Sequence, residues 1–350
     1  MYELDFLPVE AEDGNGTKSG DAIAGRLWLP DGTHRVIVVD AGYSAIGEDV
    51  VDHIAEYYGT NTIDLVVSTH PDGDHLNGLL TVMKSTTVRE LLIHRPRHLL
   101  SAADASHFTN LEMIDAVIDE AESRGVPVSE PFTGLTRWGG ALRVLGPSVE
   151  YYEYLVGLHV SEERSGIGEA KRTVAKVLSS AIAAAGGFRA GALPYLPEET
   201  LEDNPVTSHR NNTSAVLLLE SIDGQRILLT GDAGVPALSL AAAEYELRIG
   251  TFTDQPLSVF QVPHHGSHHN SAPSLLDRFI GPQGSFNTLD AVVSSAKASP
   301  HHPSPKVTNA LLRRGAKVVS TEGKTICAYS GPSRIGWVPA PSMPPRHEDN

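Results

Sequence analysis

A chain of 350 residues, 41% hydrophobic and 20% charged, has the make-up of a globular protein with one large domain or two ordinary ones. Its formal net charge of −16 argues against broad binding to a nucleic acid backbone, where affinity comes from neutralising phosphates. The single cysteine, Cys327, excludes an internal disulfide framework and a cysteine-rich zinc ribbon.

Tyr2, Leu4 and Phe6 alternate with acidic residues, the period of a half-buried strand. A turn at Gly14-Asn15-Gly16 and apolar runs at 22–29 and 36–39, split by Pro30-Asp31-Gly32, predict two further strands. Val50, Val51, Ile54, Tyr57 and Tyr58 have helical spacing, with Gly59 as the stop. An apolar strand at 63–68 runs into His70, and a helix is expected from Leu76, then a strand at 88–93. Ser101 and Asp104 form a capping box, expected to open a helix carrying Leu111, Ile114, Val117, Ile118 and Ala121. Strands follow at 126–128 and 141–145.

From about 150 to 186 the pattern is helical, with Val174, Val177, Leu178, Ala181 and Ile182 on one face, and a proline-bearing loop follows to 210. The remainder predicts a hairpin (214–220 and 226–230) around Asp223-Gly224, then helices at 237–247, 271–279 and 305–313, strands at 257–262 and 291–295, and closing strands. Cys327 reads as a small core residue of a late strand. The stretch from Pro339 reads as a mobile tail. This order of elements is α/β. The first basic residue is Lys18 and no uncharged apolar stretch could span a bilayer, so a cytoplasmic location without membrane contact is expected.

The chemistry is concentrated in His70-Pro71-Asp72-Gly73-Asp74-His75, four potential ligands within six positions between a strand and a helix. Such a turn can direct His70 and Asp72 to one metal ion, and Asp74 and His75 to its neighbour. Imidazole and carboxylate suit Zn, Mn or Fe.

With this motif the chain resembles the metallo-β-lactamase superfamily, whose signature is His-x-His-x-Asp-His after a strand. It is most similar to the hydrolase domain of ComEC-type competence proteins, where aspartate takes the second histidine's place, as Asp72 does here. Asp40-Ala41-Gly42, Asn211-Asn212-Thr213-Ser214, Leu229-Thr230-Gly231-Asp232, Val262-Pro263-His264-His265-Gly266 and His302-Pro303 match in order. The likeness covers roughly 20–335, apart from about 150–208. It implies one domain over 1–338, a four-layer αββα sandwich with a helical insertion at 150–208 and a tail at 339–350.

The resemblance further implies two divalent ions, Zn or Mn, held by His70, Asp72, Asp74, His75, Asp232 and one of His264 and His265. Asp232 bridges them. His264, nearer the strand end, is the preferred late ligand. Asp40 is a ligand or, as the likeness suggests, fixes ligand geometry. Asn211 and Asn212 stand where the wider superfamily has another histidine, and are expected to face substrate. His209, slightly upstream, reads equally as a loop residue, and His268 and His269 as surface residues. The cluster His94 to His98 reads either as an anion contact or as a solvated loop. His302 lies just before Ser304-Pro305, an N-cap with proline at the first helical position, where backbone N–H groups favour an anion.

The resemblance implies a metal-dependent hydrolase, a phosphodiesterase or nuclease, with Asp74 expected to position the nucleophile and His302 to serve the phosphate or leaving group. The expected substrate is a phosphate ester, either a small nucleotide or DNA. A lactone or thioester hydrolase and a metal-stabilised interaction protein are the alternatives. The 150–208 region, ahead of Asn211, is expected to form a lid or to bind a protein partner.

Overall fold

Alternating apolar residues close the chain into two packed sheets, seen in a computed structural model that describes residues 1–11, 16–165, 196, 198–286 and 288–348. The first sheet contains β1 (Tyr2–Phe6), β2 (Ala22–Trp28), β3 (His34–Ala41), β5 (Leu65–Val67), β7 (Leu91–Leu92), β8 (Val128–Ser129) and β16 (Ile326–Ser330). Its order is β16-β1-β2-β3-β5-β7-β8. The second contains β9 (Thr136–Arg137), β10 (Leu142–Gly146), β11 (Val216–Glu220), β12 (Arg226–Leu229), β13 (Val259–Gln261), β14 (Asp290–Val293) and β15 (Lys317–Ser320), ordered from β15 down to β9. Two short strands, β4 (Thr62–Ile63) and β6 (Thr87–Val88), pair separately.

The period-2 side-chain alternation of a strand divides each sheet between two cores. Phe6, Ile37, Val39 and Val67 of the first sheet meet Leu217, Leu229, Val259 and Val292 of the second between the sheets. Val36, Val38 and Val66 face outward onto the helices Ile46–His53, Leu79–Ser85 and Leu111–Ser123. Leu218, Leu228 and Phe260 face outward onto Val235–Arg248, Pro273–Ile280 and Pro305–Arg313. The layers are therefore helix, sheet, sheet, helix, as expected.

Both sheets change from antiparallel to parallel pairing partway across, at β3–β5 and at β12–β13. Ligand sites of α/β sheets collect beyond the carboxyl ends of such parallel strands. Here the segments leaving β3, β5, β12, β13 and β14 carry the candidate residues.

Several expectations shift. Ser101 does cap a helix, accepting from the Asp104 N–H, but that helix is the short Ala102–Ala105. The Leu111–Ser123 helix starts anew after Asn110. His94 is buried, stacked on Tyr152 at 4.1 Å, while Arg95 pairs with Glu122 and Arg97 with Asp115. The 94–98 cluster is thus partly core and partly internal ion pairing, because Tyr152 arrives from a helix distant in sequence. Burial pushes the His94 imidazole down to about 3. Cys327 is only half-buried, since its neighbours Ile326 and Ala328 take the core face of β16.

Residues 339–348, expected to be a mobile tail, lie against the body. Met343 donates its N–H to Val318 O at 2.7 Å, and Glu348 pairs with buried Arg313 at 2.8 Å. Of the helical 150–208 region, the helix Val149–Ser165 is described. The apolar face at Val174, Val177, Leu178, Ala181 and Ile182 falls outside the described residues, as do Gly14 and Asn15.

Candidate metal centre

The local turns explain how the candidate side chains come together. Asp72 precedes the helical turn Gly73–Leu76, which carries Asp74 and His75 inward from the end of β5. Gly231 has φ +50°, and a Cβ there would sit 3.0 Å from Thr69 Oγ1, so glycine lets the β12 end turn tightly and present Asp232. Buried Gln261 accepts from the Thr230 and Gly231 N–H groups and braces that turn. Asp40, His264 and His265 all have positive φ, a strained conformation for side chains of this size.

The histidines are oriented by their Nδ1 atoms. His75 Nδ1 donates to Asp40 Oδ2 at 2.8 Å, and His265 Nδ1 donates to Ser294 O at 3.0 Å. His264 Nδ1 lies 2.9 Å from Asn270 Oδ1, whose amide is fixed by donating Nδ2–H to Asp232 O at 2.7 Å. His70 Nδ1 lies 3.1 Å from Thr69 Oγ1, which itself donates to Asp40 Oδ2. An acceptor at each Nδ1 leaves the Nε2 lone pair available, the arrangement found behind metal-binding imidazoles.

Those Nε2 atoms converge on the carboxylates. Asp232 lies 3.3 Å from His75 Nε2 through Oδ1, and 3.6 and 3.5 Å from His70 and His264 Nε2 through Oδ2. His265 Nε2 is 3.6 Å from Asp74 Oδ2, and His70 Nε2 is 3.7 Å from Asp72 Oδ2. His70, His75 and His265 Nε2 and Asp232 Oδ1 are buried and have no hydrogen-bond partner among the described residues. Buried polar atoms left so are destabilising unless another group satisfies them. A divalent cation fits that requirement, and the donors suit one.

Among the described residues, three compact groups of donor atoms, each within 4.8 Å, could hold an ion: Asp40, His70 and His75; Asp74, His75 and His265; Asp21, Asp232 and His265. His265 belongs to two of them. His264, the preferred ligand from sequence, belongs to none, and its side chain is 31% exposed. The electrostatics follow the geometry. Burial disfavours the Asp232 charge, yet the imidazoles of His264, His75 and His265 hold its carboxyl well below the usual range. Burial likewise opposes charge on His265, but Asp232 and Asp74 carry it up to about 9.

The remaining candidates divide. Asn211 places Nδ2 3.4 Å from Asp232 Oδ2, whereas Asn212 clamps the backbone, accepting from Gly234 N–H and donating to Ser208 O. His302 stands beside the centre, its ring 5.7 Å from His264 and 6.1 Å from His265. His209 turns away to Glu162, and the next residue, Arg210, reaches Asp72 Oδ1 at 2.5 Å. Among the described residues, sequence reasoning missed Arg210, Asn270, Thr69 and Asp21. Asp21 is buried immediately before β2, and only its Gly20 neighbour hinted at a close approach.

Residues 26–159 match the family model of the metallo-beta-lactamase superfamily. No curated protein matches the sequence. The fold is similar to that of the metallo-beta-lactamase fold protein YhfI from Bacillus subtilis, at 8% identity and TM-score 0.43, covering 94% of this chain and 100% of that one. A diphosphatase of the PhnP family aligns at 11% identity and TM-score 0.40, covering 94% and 98% of the two chains. A long-form RNase Z from yeast aligns at 9% identity and TM-score 0.40, over 84% of this chain but 37% of that one.

Proposed function

We propose, from the match of residues 26–159 to the metallo-beta-lactamase superfamily model, that the chain is a metal-dependent hydrolase of phosphate esters, a phosphodiesterase or nuclease. The observation that carries this reading is the set of buried Nε2 atoms without hydrogen-bond partners among the described residues, His70 and His75 turned toward Asp232 and His265 toward Asp74. His70, Asp72, Asp74, His75, Asp232 and His265 would hold two divalent ions, Zn or Mn, with His264 at the open side. Such ions make water acidic enough to serve as nucleophile at neutral pH and neutralise charge on a phosphoryl oxygen.

The chain's own residues supply orientation and proton handling. Asp40 and Thr69 fix the ring orientations of His75 and His70. Asp74, whose side chain is 26% exposed, is the carboxylate open to an attacking water and placed to orient it. Arg210 and His302 present N–H donors beside the centre, which suits a phosphate diester better than a neutral carbonyl compound. The His70-to-His75 motif, similar to the ComEC-type branch, supports the same substrate class. With a net charge of −16, a small nucleotide or a DNA strand held locally fits better than unassisted scanning of DNA.

The test is a substrate panel run with added Zn²⁺ or Mn²⁺: bis-p-nitrophenyl phosphate, cyclic nucleotides, single- and double-stranded DNA, a lactone and a thioester. Turnover of the phosphodiesters, abolished by Asp232→Ala, is expected. Turnover of the lactone or thioester alone overturns the substrate class, and no turnover with any of them overturns the enzyme.

A further inference from the structure

We propose that Asp21 is a further metal-holding carboxylate, and that it biases the adjoining ion site toward Mn²⁺ over Zn²⁺; this rests on the hydrolase reading above. Asp21 is 1% exposed, and its Oδ1 has no hydrogen-bond partner among the described residues. Its donor atom lies within 4.8 Å of those of Asp232 and His265, in one of the compact groups described above. The second oxygen, Oδ2, is 3.7 Å from His75 Nδ1, which is already engaged at 2.8 Å by Asp40. Among the described residues the Ser294 hydroxyl and the His75 and His265 imidazoles stand near the Asp21 carboxylate, yet its Oδ1 keeps no hydrogen-bond partner.

The backbone is built to put it there. The Asp21 N–H donates to Asp74 O at 3.1 Å, and Asp21 O accepts from the Gly42 N–H at 2.8 Å. These two bonds fix the start of β2 to the Asp74 turn and to the end of β3. Gly20 makes the approach feasible, since a Cβ there would lie 2.4 Å from Asp74 O. A buried carboxylate with a free oxygen is strongly destabilising unless a cation or a donor meets it. Aspartate at this position is thus explained by a cation beside it.

The choice of ion follows from the donor count. Two overlapping groups, Asp74 with His75 and His265 and Asp21 with Asp232 and His265, bring five side chains together through the shared His265. Zn²⁺ in protein sites is satisfied by four donors in a tetrahedron. Mn²⁺ prefers more ligands, with oxygen prominent among them. An extra carboxylate adds an oxygen donor that Mn²⁺ uses and Zn²⁺ does not need.

The experiment measures Mn²⁺ and Zn²⁺ affinity of the full chain by calorimetry, on wild type and on Asp21→Asn. The variant is expected to lose about tenfold or more in Mn²⁺ affinity, and less than about threefold in Zn²⁺ affinity. Equal losses for both ions would make Asp21 a mere electrostatic neighbour and overturn the proposal, as would unchanged affinity for both. Wild type that binds neither ion sinks the hydrolase reading and this proposal together. A second readout needs no metal. In the presence of a chelator, Asp21→Asn should melt at a higher temperature than wild type, because it removes a buried carboxylate whose Oδ1 has no hydrogen-bond partner among the described residues. A lower melting temperature would show that the protein itself satisfies the carboxylate, and would equally overturn the proposal.

Discussion

His75 Nδ1 and Asp40 Oδ2 are 2.8 Å apart in the interior, and this contact turns the opposite face of the imidazole toward Asp232. Asp40 also accepts from the Thr69 N–H at 2.8 Å, so one carboxylate orients His75 and pins the chain entering His70. Asp40→Ala should lower divalent-ion affinity by about 10- to 100-fold, the usual effect of removing a partner behind a metal ligand. Equilibrium dialysis against a chelator measures this. Wild-type affinity in the variant would show that the imidazole keeps its orientation without Asp40.

A second prediction concerns acid stability, far from the centre. Asp5 is fully buried, with His53 Nε2 at 2.9 Å, Tyr58 Oη at 2.6 Å and Arg334 at 2.7 Å. Burial opposes its charge, but hydrogen bonds from His53, Arg334 and Tyr58 prevail and hold the carboxyl below its ordinary value. A carboxyl depressed in the folded state contributes stability that is complete above its unfolded pKa, about 4, and is lost as pH falls through the folded value. Wild type should therefore lose melting temperature steeply below about pH 4. Asp5→Asn should be less stable near neutrality by about 3 kcal/mol, because it breaks a buried pair. Its acid limb should be shallower. Parallel acid limbs in thermal melts of the two proteins would contradict this origin of the pH dependence.

The terminal segment yields a third prediction. Glu348 accepts from Arg313 at 2.8 Å and from Asn309 Nδ2 at 2.9 Å, and the Arg313 side chain is almost wholly enclosed. Glu348→Ala removes the carboxylate from that buried guanidinium, which also donates to Glu198 O at 3.2 Å, and should destabilise the protein by about 3 kcal/mol in urea unfolding. A midpoint equal to that of wild type would mean that the segment does not dock in solution.

The layered fold and most of the centre were legible because their signals are local. Strand alternation is written within a few residues, and four of the candidate ligands fall between His70 and His75. What escaped is set by contacts between distant segments. Asp21 enters the centre through backbone bonds to Asp74 and Gly42. Asn270 matters because its amide bridges Asp232 O and His264 Nδ1. His94 carried the pattern of a basic loop, yet Tyr152 and Phe132 cover it. The sequence could not separate His264 from His265, since neighbours of one type differ only in the backbone turn that aims them. Consecutive positive φ values of +48° and +55° enclose His265 and leave His264 at the rim.

His302 supplies the last prediction. Its backbone is held from both sides, the N–H donating to Ser299 Oγ at 3.0 Å and the carbonyl accepting from Ser295 Oγ at 2.7 Å. Pro303 and Ser304 follow, and the helix Pro305–Arg313 begins beyond them. The ring thus stands near His264 and His265 at the N-terminal end of a helix, where an anion is favoured. Burial and the neighbouring imidazoles push His302 down to about 4, so near neutrality it presents a neutral N–H rather than a charge. Such a group can hold a phosphate oxygen or donate to the oxygen of a departing alkoxide. His302→Ala should lower kcat by about 100-fold on a phosphodiester with an alkoxide leaving group, with metal content at the wild-type level. The loss should be much smaller on a nitrophenyl ester, whose leaving group needs little help. Equal losses on both would assign His302 to phosphate binding instead. No loss on either would show that the ring, though beside the centre, takes no part in the reaction.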